Sequence, residues 1–549
     1  MSQSPAQSVV ARRALGISLA TLASRILGFG RDLLMAWLLG GSLAADALVI
    51  ALRLPQATRR LFAEGALSLA LTADLEHSRH ASPDPLPTGN TPPPPDMLAR
   101  AVQWRLGLVL LLTVLAAEML AAPLTHLLAP GAAGNTPLLD LAAHLATVTL
   151  PYILCAGMAT LAMARLHLAG NFTLPALMPL AFNLCVIGAS GLALWLRQAR
   201  RISTAEAALL IACGVLAGGL VQWLAQELTL KRTSRPPAPG GGCVMGRHVG
   251  RAATRIVARM PLGALGAAAP QLALLAAMAA ASWLAQGSVA ALYYAEKLME
   301  LPMGLAAAAL GMASLPTLAR QAGHGQIGDF CRTTHTTLRW ALCVTLPAAA
   351  GLAALATPLV RALFAHGAFD TAATTATATA LVGYCLGIPA HGLTRPLLTA
   401  AHALGLARHA AYSGLVAVGV AIPLSLGLMA LFRHVPHAPT PLLGPALGVS
   451  LGLWAQGLYV WRALRRALRA RGDDLPPLRP LPFVLGAALT ALAAHAVSLA
   501  PWGGEWGLLC AGVCAGIAVY AGVLALCSCP EWRTLRDALH TWLHQRGRC

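Results

Sequence analysis

Charge is scarce in this sequence. Asp, Glu, Lys and Arg make up 11% of its 549 residues, against about 25% in a soluble domain. No stretch is polar and varied enough to fold as a soluble module, so the formal net charge of +19 does not point to nucleic acid. A phosphate-binding Walker loop is absent, which excludes ATP hydrolysis by this chain. Metal-ligand spacing is absent as well. The 12 cysteines lie singly in apolar runs, as at Cys155, Cys185, Cys213, Cys343 and Cys385. Only Cys527 and Cys529 stand close together. They read as small buried hydrophobes, and no metal is expected. A cleavable signal is not expected either: Arg25, Arg31 and Asp32 interrupt the first apolar segment, and no small-residue cleavage site follows it.

What the chain does have is apolar length. Hydrophobic residues make up 57% of the sequence and mean hydropathy is +0.66. Each helical crossing of a bilayer takes about 20 apolar residues, and only helices or closed barrels satisfy their backbone in lipid. The runs are unbroken and rich in Leu and Ala, without the alternation of a barrel strand. The expected fold is therefore an all-α polytopic membrane protein. Fourteen candidate spans fall near 14–40, 44–73, 102–128, 138–168, 174–196, 204–230, 252–284, 288–318, 336–364, 372–402, 408–432, 443–468, 481–501 and 506–527.

Proline-rich stretches divide these spans. His77 to Arg100 and Lys231 to Gly246 read as unstructured linkers. The expected organisation is an N-lobe over 1–231 (spans 1–6), a cytoplasmic linker over 232–247, a C-lobe over 248–470 (spans 7–12), and spans 13–14 with a tail over 471–549. Arg and Lys concentrate in alternate loops and in both terminal segments, which places both termini in the cytoplasm. Arg197, Arg200 and Arg201 are an exception on the outer side. An internal repeat supports two six-helix lobes: Pro123-Leu124 to Gly131-Ala132 resembles Pro358-Leu359 to Gly367-Ala368, and Leu166 to Gly170 resembles Ala401 to Gly405. Repeated halves are common in transporters.

The chemistry concentrates between Ser24 and Asp74, where Arg25, Arg31, Asp32, Asp46, Arg53, Arg59, Arg60 and Glu64 interrupt spans 1 and 2. A central Arg or Asp costs about 2.5–3.5 kcal/mol to insert, so three cost roughly 8–10 kcal/mol. These groups must face each other, a wet cavity or an anion. Asp46, Arg53 and Arg60 are spaced by seven and share a face, with Glu64 one turn further. Arg25 and Asp32 share a face of span 1, with Arg31 about 120° round the helix. Gly28, Gly30 and Pro55 weaken the two helices there. Pairing of Arg60 with Glu64, or snorkelling to the surface, is the structural alternative. In span 8, Lys297 follows Tyr293 and Tyr294 and can pair with Glu300; Arg395 adds an intramembrane cation in span 10. Arginine's planar fork suits phosphate. No carboxylate pair suited to holding magnesium for a polyprenyl transferase is visible, and Asp473-Asp474 reads as solvated in a basic loop.

The run Ser24-Arg25-Ile26-Leu27-Gly28-Phe29-Gly30-Arg31-Asp32, continued by Ala45-Asp46-Ala47, Leu54-Pro55 and Arg59-Arg60-Leu61-Phe62-Ala63-Glu64-Gly65-Ala66, resembles the MurJ/MviN lipid II flippase family. That family lies within the multidrug/oligosaccharidyl-lipid/polysaccharide exporter superfamily. Pro151-Tyr152-Ile153-Leu154, Tyr293-Tyr294-Ala295 with Leu298-Met299-Glu300, and Leu315-Pro316 add to the likeness. The resemblance implies a 14-helix, two-lobe transporter with a central cavity and a groove along spans 13 and 14 for the lipid tail. It maps substrate-binding roles onto Arg25, Arg31, Asp46, Arg59 and Lys297, the last replacing a family arginine. Asp32, Arg53, Arg60, Glu64, Glu300 and Arg395 stand as supporting charges. The implied substrate is lipid II, the undecaprenyl-pyrophosphate-linked muropeptide, in the bacterial cytoplasmic membrane, with membrane lipids and the cell-wall synthesis machinery as partners. No cofactor is implied; the drive is the membrane potential or an ion gradient. Sodium-binding members use an acidic residue in span 7, and none stands between Pro261 and Leu284. The competing readings are a drug or polysaccharide-lipid exporter of the same superfamily, an enzyme acting on polyprenyl phosphates, and a non-transporting cell-wall scaffold.

Overall fold

The structure is a computed structural model that describes residues 5–63, 95–233, 249–250, 253–254, 271–434, 441–499 and 504–546. Every regular element among these residues is helical. The chain divides into two compact units, Met1–Gln271 and Leu272–Cys549.

The first unit contains α1 (Pro5–Leu39), α2 (Leu43–Ala63), α3 (Pro95–Met119), α4 (Ala121–Leu128), α5 (Thr136–Thr149), α6 (Tyr152–Leu168), α7 (Thr173–Gln198) and α8 (Thr204–Thr233). The second contains α9 (Gln271–Ala281), α10 (Ser288–Gly323), α11 (Ile327–Ala354), α12 (Ala356–Phe364), α13 (Thr371–Cys385), α14 (Gly387–Ala403), α15 (Ala407–His434) and α16 (Leu443–Arg469). It continues with α17 (Leu481–Ser498), α18 (Glu505–Leu526) and α19 (Pro530–Arg546). The chain is a multi-pass membrane protein. Among the described residues, nine helical segments are long and apolar enough to cross a bilayer, where fourteen were expected. The charge-bearing α1 and α2 are not among the nine.

The two units repeat one packing scheme. In the first, α7 packs on α8, α6 on α8, α2 on α5 and α6, and α3 on α6. In the second, α15 packs on α16, α14 on α16, α10 on α13 and α14, and α11 on α14. The motif pair ending in Gly170 and Gly405 builds the same turn twice. Both glycines have φ +77°, and in both the next residue donates back five positions, Asn171 to the Leu166 carbonyl and Leu406 to the Ala401 carbonyl. This is a Schellman-type stop, which favours glycine because a Cβ is strained there. Outside the repeat, α17 and α18 pack together and against α11 and α12.

Several expected spans are broken. The segment 138–168 is two helices, α5 and α6, because Pro151 has no N–H to continue the ladder and α5 stops at Thr149. The segment 372–402 likewise divides into α13 and α14 at Leu386, three residues before Pro389. Spans 102–128 and 336–364 each end in a short helix, α4 and α12, after a break at Leu120 and Leu355. The linker expected over His77 to Arg100 is shorter than that: Pro95 opens α3, as suits a proline in a first helical turn.

Small residues set the helix spacing. A Cβ on Gly444 would stand 2.4 Å from the Met429 backbone N, and one on Gly448 2.5 Å from the Ser425 backbone N. A Cβ on Gly452 would meet the Ala417 carbonyl at 2.7 Å. Glycine at every fourth position thus lets α16 lie against the backbone of α15, the small-xxx-small device of membrane helices. In the first unit Gly214 and Gly218 face α7 differently: a Cβ on either would meet a side chain first, Ala189 at 2.5 Å and Phe182 at 2.8 Å.

Candidate functional site

In the first unit a group of polar and aromatic side chains from α1, α2, α6 and α7 surrounds one ring. Phe182 of α7 has the guanidinium carbon of Arg31 6.0 Å from its centroid and that of Arg59 5.8 Å from it. Each such contact is worth roughly 0.5–2 kcal/mol, more as water is excluded. The ring of Tyr152, at the start of α6, lies 5.4 Å from Phe182 and tilted by 50°. Both rings are seated by consecutive glycines of α8. A Cβ on Gly218 would come within 2.8 Å of the Phe182 ring, and one on Gly219 within 2.5 Å of the Tyr152 ring.

Arg31 is held from two further sides. Its Nε and Nη2 donate to Asp32 Oδ1 at 3.0 and 2.8 Å. Its Nη1 donates to Asn183 Oδ1 at 3.2 Å. The same asparagine donates through Nδ2 to the Ser24 carbonyl at 2.9 Å, pinning α7 to α1. Gly28 makes room for this amide, since a Cβ there would lie 3.3 Å from Nδ2. Asp32 is almost fully buried, with its side chain 4% exposed against 15% for Arg31. A cation held this way is aimed and partly dehydrated, the state in which guanidinium–phosphate bonds are strongest.

The other expected residues of this unit are placed differently. Asp46 and Arg53 are buried within α2. Asp46 sits in the first turn of that helix, where the helix dipole favours an anion. Arg25 is exposed on α1 and does not join the Arg31–Arg59 group. Asp32, which shares a helix face with Arg25 by spacing, pairs instead with its neighbour Arg31. The Arg60 side chain and Glu64 lie outside the described residues.

The second unit gathers its own charged group on α10 and α14. Lys297 is buried, 3.2 Å from Glu300 and 5.0 Å from the Tyr293 centroid, so the pairing one turn along the helix is present. Arg395 Nε donates to His391 Nε2 at 3.2 Å. Glu300 and Arg395 both act electrostatically on His391, which joins these charges into one cluster.

Four residues that sequence reasoning passed over belong to these groups: Tyr152, Phe182, Asn183 and His391. Asn183 had a signal, as a lone amide at the centre of an otherwise apolar span. Phe182 had none, because an aromatic in an apolar helix is indistinguishable from core. Several polar contacts outside the two groups tie elements together. Arg197 donates to the Leu38 carbonyl at the end of α1, and Arg201 stacks on Trp195, which accounts for two of the three exceptional outer arginines. Ser203 and Glu206 form a capping box at the start of α8. Asp474, expected to be merely solvated, accepts from Arg465 at 2.8 and 2.6 Å and from Arg469 at 2.9 Å. Those bonds depress its carboxyl far below the ordinary range. Among the described residues no group of three His, Cys, Asp or Glu is placed to hold a metal.

Residues 35–505 match the family described as Lipid II flippase MurJ. The chain belongs to that family. A lipid II flippase MurJ of Burkholderia cenocepacia is 29% identical over 378 residues, 69% of this chain and 70% of that protein. A probable lipid II flippase MurJ of Rhizobium tropici is 32% identical over 384 residues, 69% of this chain and 68% of its own. Among solved structures, a lipid II flippase MurJ in an inward closed conformation superposes with a TM-score of 0.72 at 21% identity, covering 94% of this chain and 99% of that one. An inward-facing multidrug resistance MATE transporter of the MOP superfamily superposes with a TM-score of 0.61 at 10% identity, covering 83% of this chain and 98% of that one. Both structural likenesses speak for the fold. The family match takes in Arg59, Tyr152, Phe182 and Lys297 and begins just after Arg31 and Asp32.

Proposed function

We propose that this chain moves lipid II from the inner to the outer leaflet of the bacterial cytoplasmic membrane by alternating access, acting as a transporter and not as an enzyme. Family membership supports the substrate. The observation that carries the residue assignment is the pair of guanidiniums, Arg31 and Arg59, sharing the Phe182 ring within 6.0 Å of its centroid. Two aimed, partly dehydrated forks of this kind match a pyrophosphate, whose oxygens accept bidentate charge-assisted bonds. Arg25, on the exposed face of α1, and Asp46, in the first turn of α2, are further proposed substrate contacts outside that pair. Lys297, with Glu300 and Arg395, is the proposed charged group of the second. The distribution of arginine supports a cytoplasmic position for both termini. The proposed drive is the membrane potential, worth about 2.3 kcal/mol per charge per 100 mV. The cell-wall synthesis machinery is the proposed partner that consumes the product.

The test is complementation in cells depleted of their own flippase, with labelling of lipid II exposed on the outer surface. The wild-type chain should restore outer-leaflet lipid II. Arg31→Ala, still inserted at normal level, should leave the precursor inside. Full restoration by Arg31→Ala would remove this residue from the site. Failure of the wild-type chain to change precursor sidedness would refute the transport reading.

A further inference from the structure

The Tyr152 hydroxyl has no packing reason to exist. The residue is 2% exposed, and its hydroxyl oxygen is buried without a hydrogen bond of regular geometry. Leaving such a group unsatisfied costs about 1–3 kcal/mol, and nearly all buried polar atoms avoid that cost. A phenylalanine would fill the same seat. The ring lies against Gly219 on one side and Phe182 on another, and neither contact involves the oxygen. A tyrosine held here is thus a cost to the empty site that phenylalanine would spare.

Its surroundings show what the oxygen faces. Arg59 and Arg31 are the cations that act on this hydroxyl, and Arg59 approaches its oxygen as a donor. Both are cations, and neither can accept its proton. The O–H donor therefore lacks an acceptor in a place where two positive groups would hold an anion. We infer that Tyr152 is a third donor of the anion site, a neutral hydroxyl that bonds an oxygen of the pyrophosphate gripped by Arg31 and Arg59. This deepens the proposed function and rests on its reading of the site as a receiver of pyrophosphate.

The arrangement has a chemical logic. A third cation would raise the cost of the empty site, because burying like charges is unfavourable. A phenol adds a bond to the ligand without adding charge. Its direction is set beforehand by the glycine seat and the tilted ring, so little ordering remains when the ligand arrives. Because the O–H proton has no acceptor without ligand, its bond is gained on binding, and a variant lacking the hydroxyl loses affinity with little change in stability.

The experiment uses the full chain in nanodiscs, with inorganic pyrophosphate and orthophosphate as probes in calorimetry, alongside thermal unfolding. Tyr152→Phe should bind pyrophosphate about tenfold more weakly than wild type, a loss of about 1.4 kcal/mol, with a melting temperature equal to or above wild type. Arg31→Ala serves as the reference for loss of a charged donor. Equal pyrophosphate affinity in wild type and Tyr152→Phe overturns the inference. So does a lowered melting temperature with unchanged affinity, which would make the hydroxyl structural, and so does a wild-type chain that binds no pyrophosphate. Precursor sidedness, measured in parallel, separates the two readings. A wild-type chain that binds pyrophosphate through Tyr152 yet never moves lipid II sinks the transport reading alone. A chain that moves lipid II equally well with and without the hydroxyl, at equal pyrophosphate affinity, sinks only the inference.

Discussion

The two units share a frame and load it differently. At the crossing of α7 and α8, the glycine pair Gly218-Gly219 leaves room for two aromatic rings, Phe182 and Tyr152. At the corresponding crossing of α15 and α16, Gly452 faces Ala417 and Ala421, and the space goes to close backbone contact. The first unit therefore uses its small residues to seat side chains that position arginines. The second uses them to bring two helices together. The same backbone device serves recognition in one half and cohesion in the other, and what decides between them is the size of the residue facing the glycine.

This contrast can be broken by overpacking. A methyl on Gly448 collides with the backbone of Ser425, which cannot turn away, whereas one on Gly157 of α6 meets Leu110 Cδ1, the end of a side chain that can change rotamer. Both Gly448→Ala and Gly444→Ala should cost about 1–3 kcal/mol or prevent folding, and Gly157→Ala should cost less. Thermal unfolding in detergent ranks them, and equal melting temperatures would contradict the contrast. The recognition side is sharpened by Phe182→Leu, which keeps most apolar volume and removes the ring face. With two cation–π contacts of roughly 0.5–2 kcal/mol each, transport should fall about ten- to hundredfold while the melting temperature changes little. Transport at the wild-type rate would show that the ring only fills space. A smaller effect is expected from Asn183→Ala, which removes the bond to Arg31 and the bond to the Ser24 carbonyl. Net hydrogen bonds are worth about 0.5–1.5 kcal/mol, and more when one partner is charged. Transport should drop several-fold with a modest loss of stability, and Asn183→Gln should not restore it, because the longer amide meets the limited space at Gly28.

The smallest effect concerns the end of the second unit. Arg339 grips Glu531 through Nε and Nη2 at 2.6 and 2.9 Å, joining α11 to the start of α19. Burial alone would raise the Glu531 carboxyl, but the bonds and charge of Arg339 outweigh it and hold the group below its usual value. A carboxyl depressed by folding contributes stability above its unfolded pKa, near 4.5. That contribution fades as pH falls through the lower folded value. Proteolysis of the tail should be constant from pH 7 to 5 and rise only in stronger acid, and Glu531→Gln should show the faster rate already at pH 7. A rate that already climbs between pH 7 and 5 in the wild type would contradict the depressed carboxyl.

Much of this was legible in the sequence, and the gaps have physical causes. Charges inside apolar runs are costly, so Arg31, Arg59, Asp46 and Lys297 stood out wherever the helices placed them. The repeat was visible because its turns depend on glycines, at 170 and 405, that no other residue replaces cheaply. The breaks at Pro151 and Leu386 were missed because hydropathy runs on unchanged across a kink. The seat of Phe182 and Tyr152 was missed because it arises from the meeting of α6, α7 and α8. A ring in an apolar helix and a glycine pair some 35 residues later acquire meaning only when packed. Asp474 was misread for a related reason: a carboxylate in a basic loop looks solvated until Arg465 and Arg469 are seen to close on it.

The most direct test replaces both forks at once. Arg31→Gln with Arg59→Gln keeps side-chain length and polarity while removing the two charges over Phe182. In cells relying on this chain alone, the double variant should insert normally, lipid II should accumulate in the inner leaflet, and no labelled precursor should appear on the outer surface. Outer-surface labelling equal to that of the wild-type chain would contradict the role given to the two arginines.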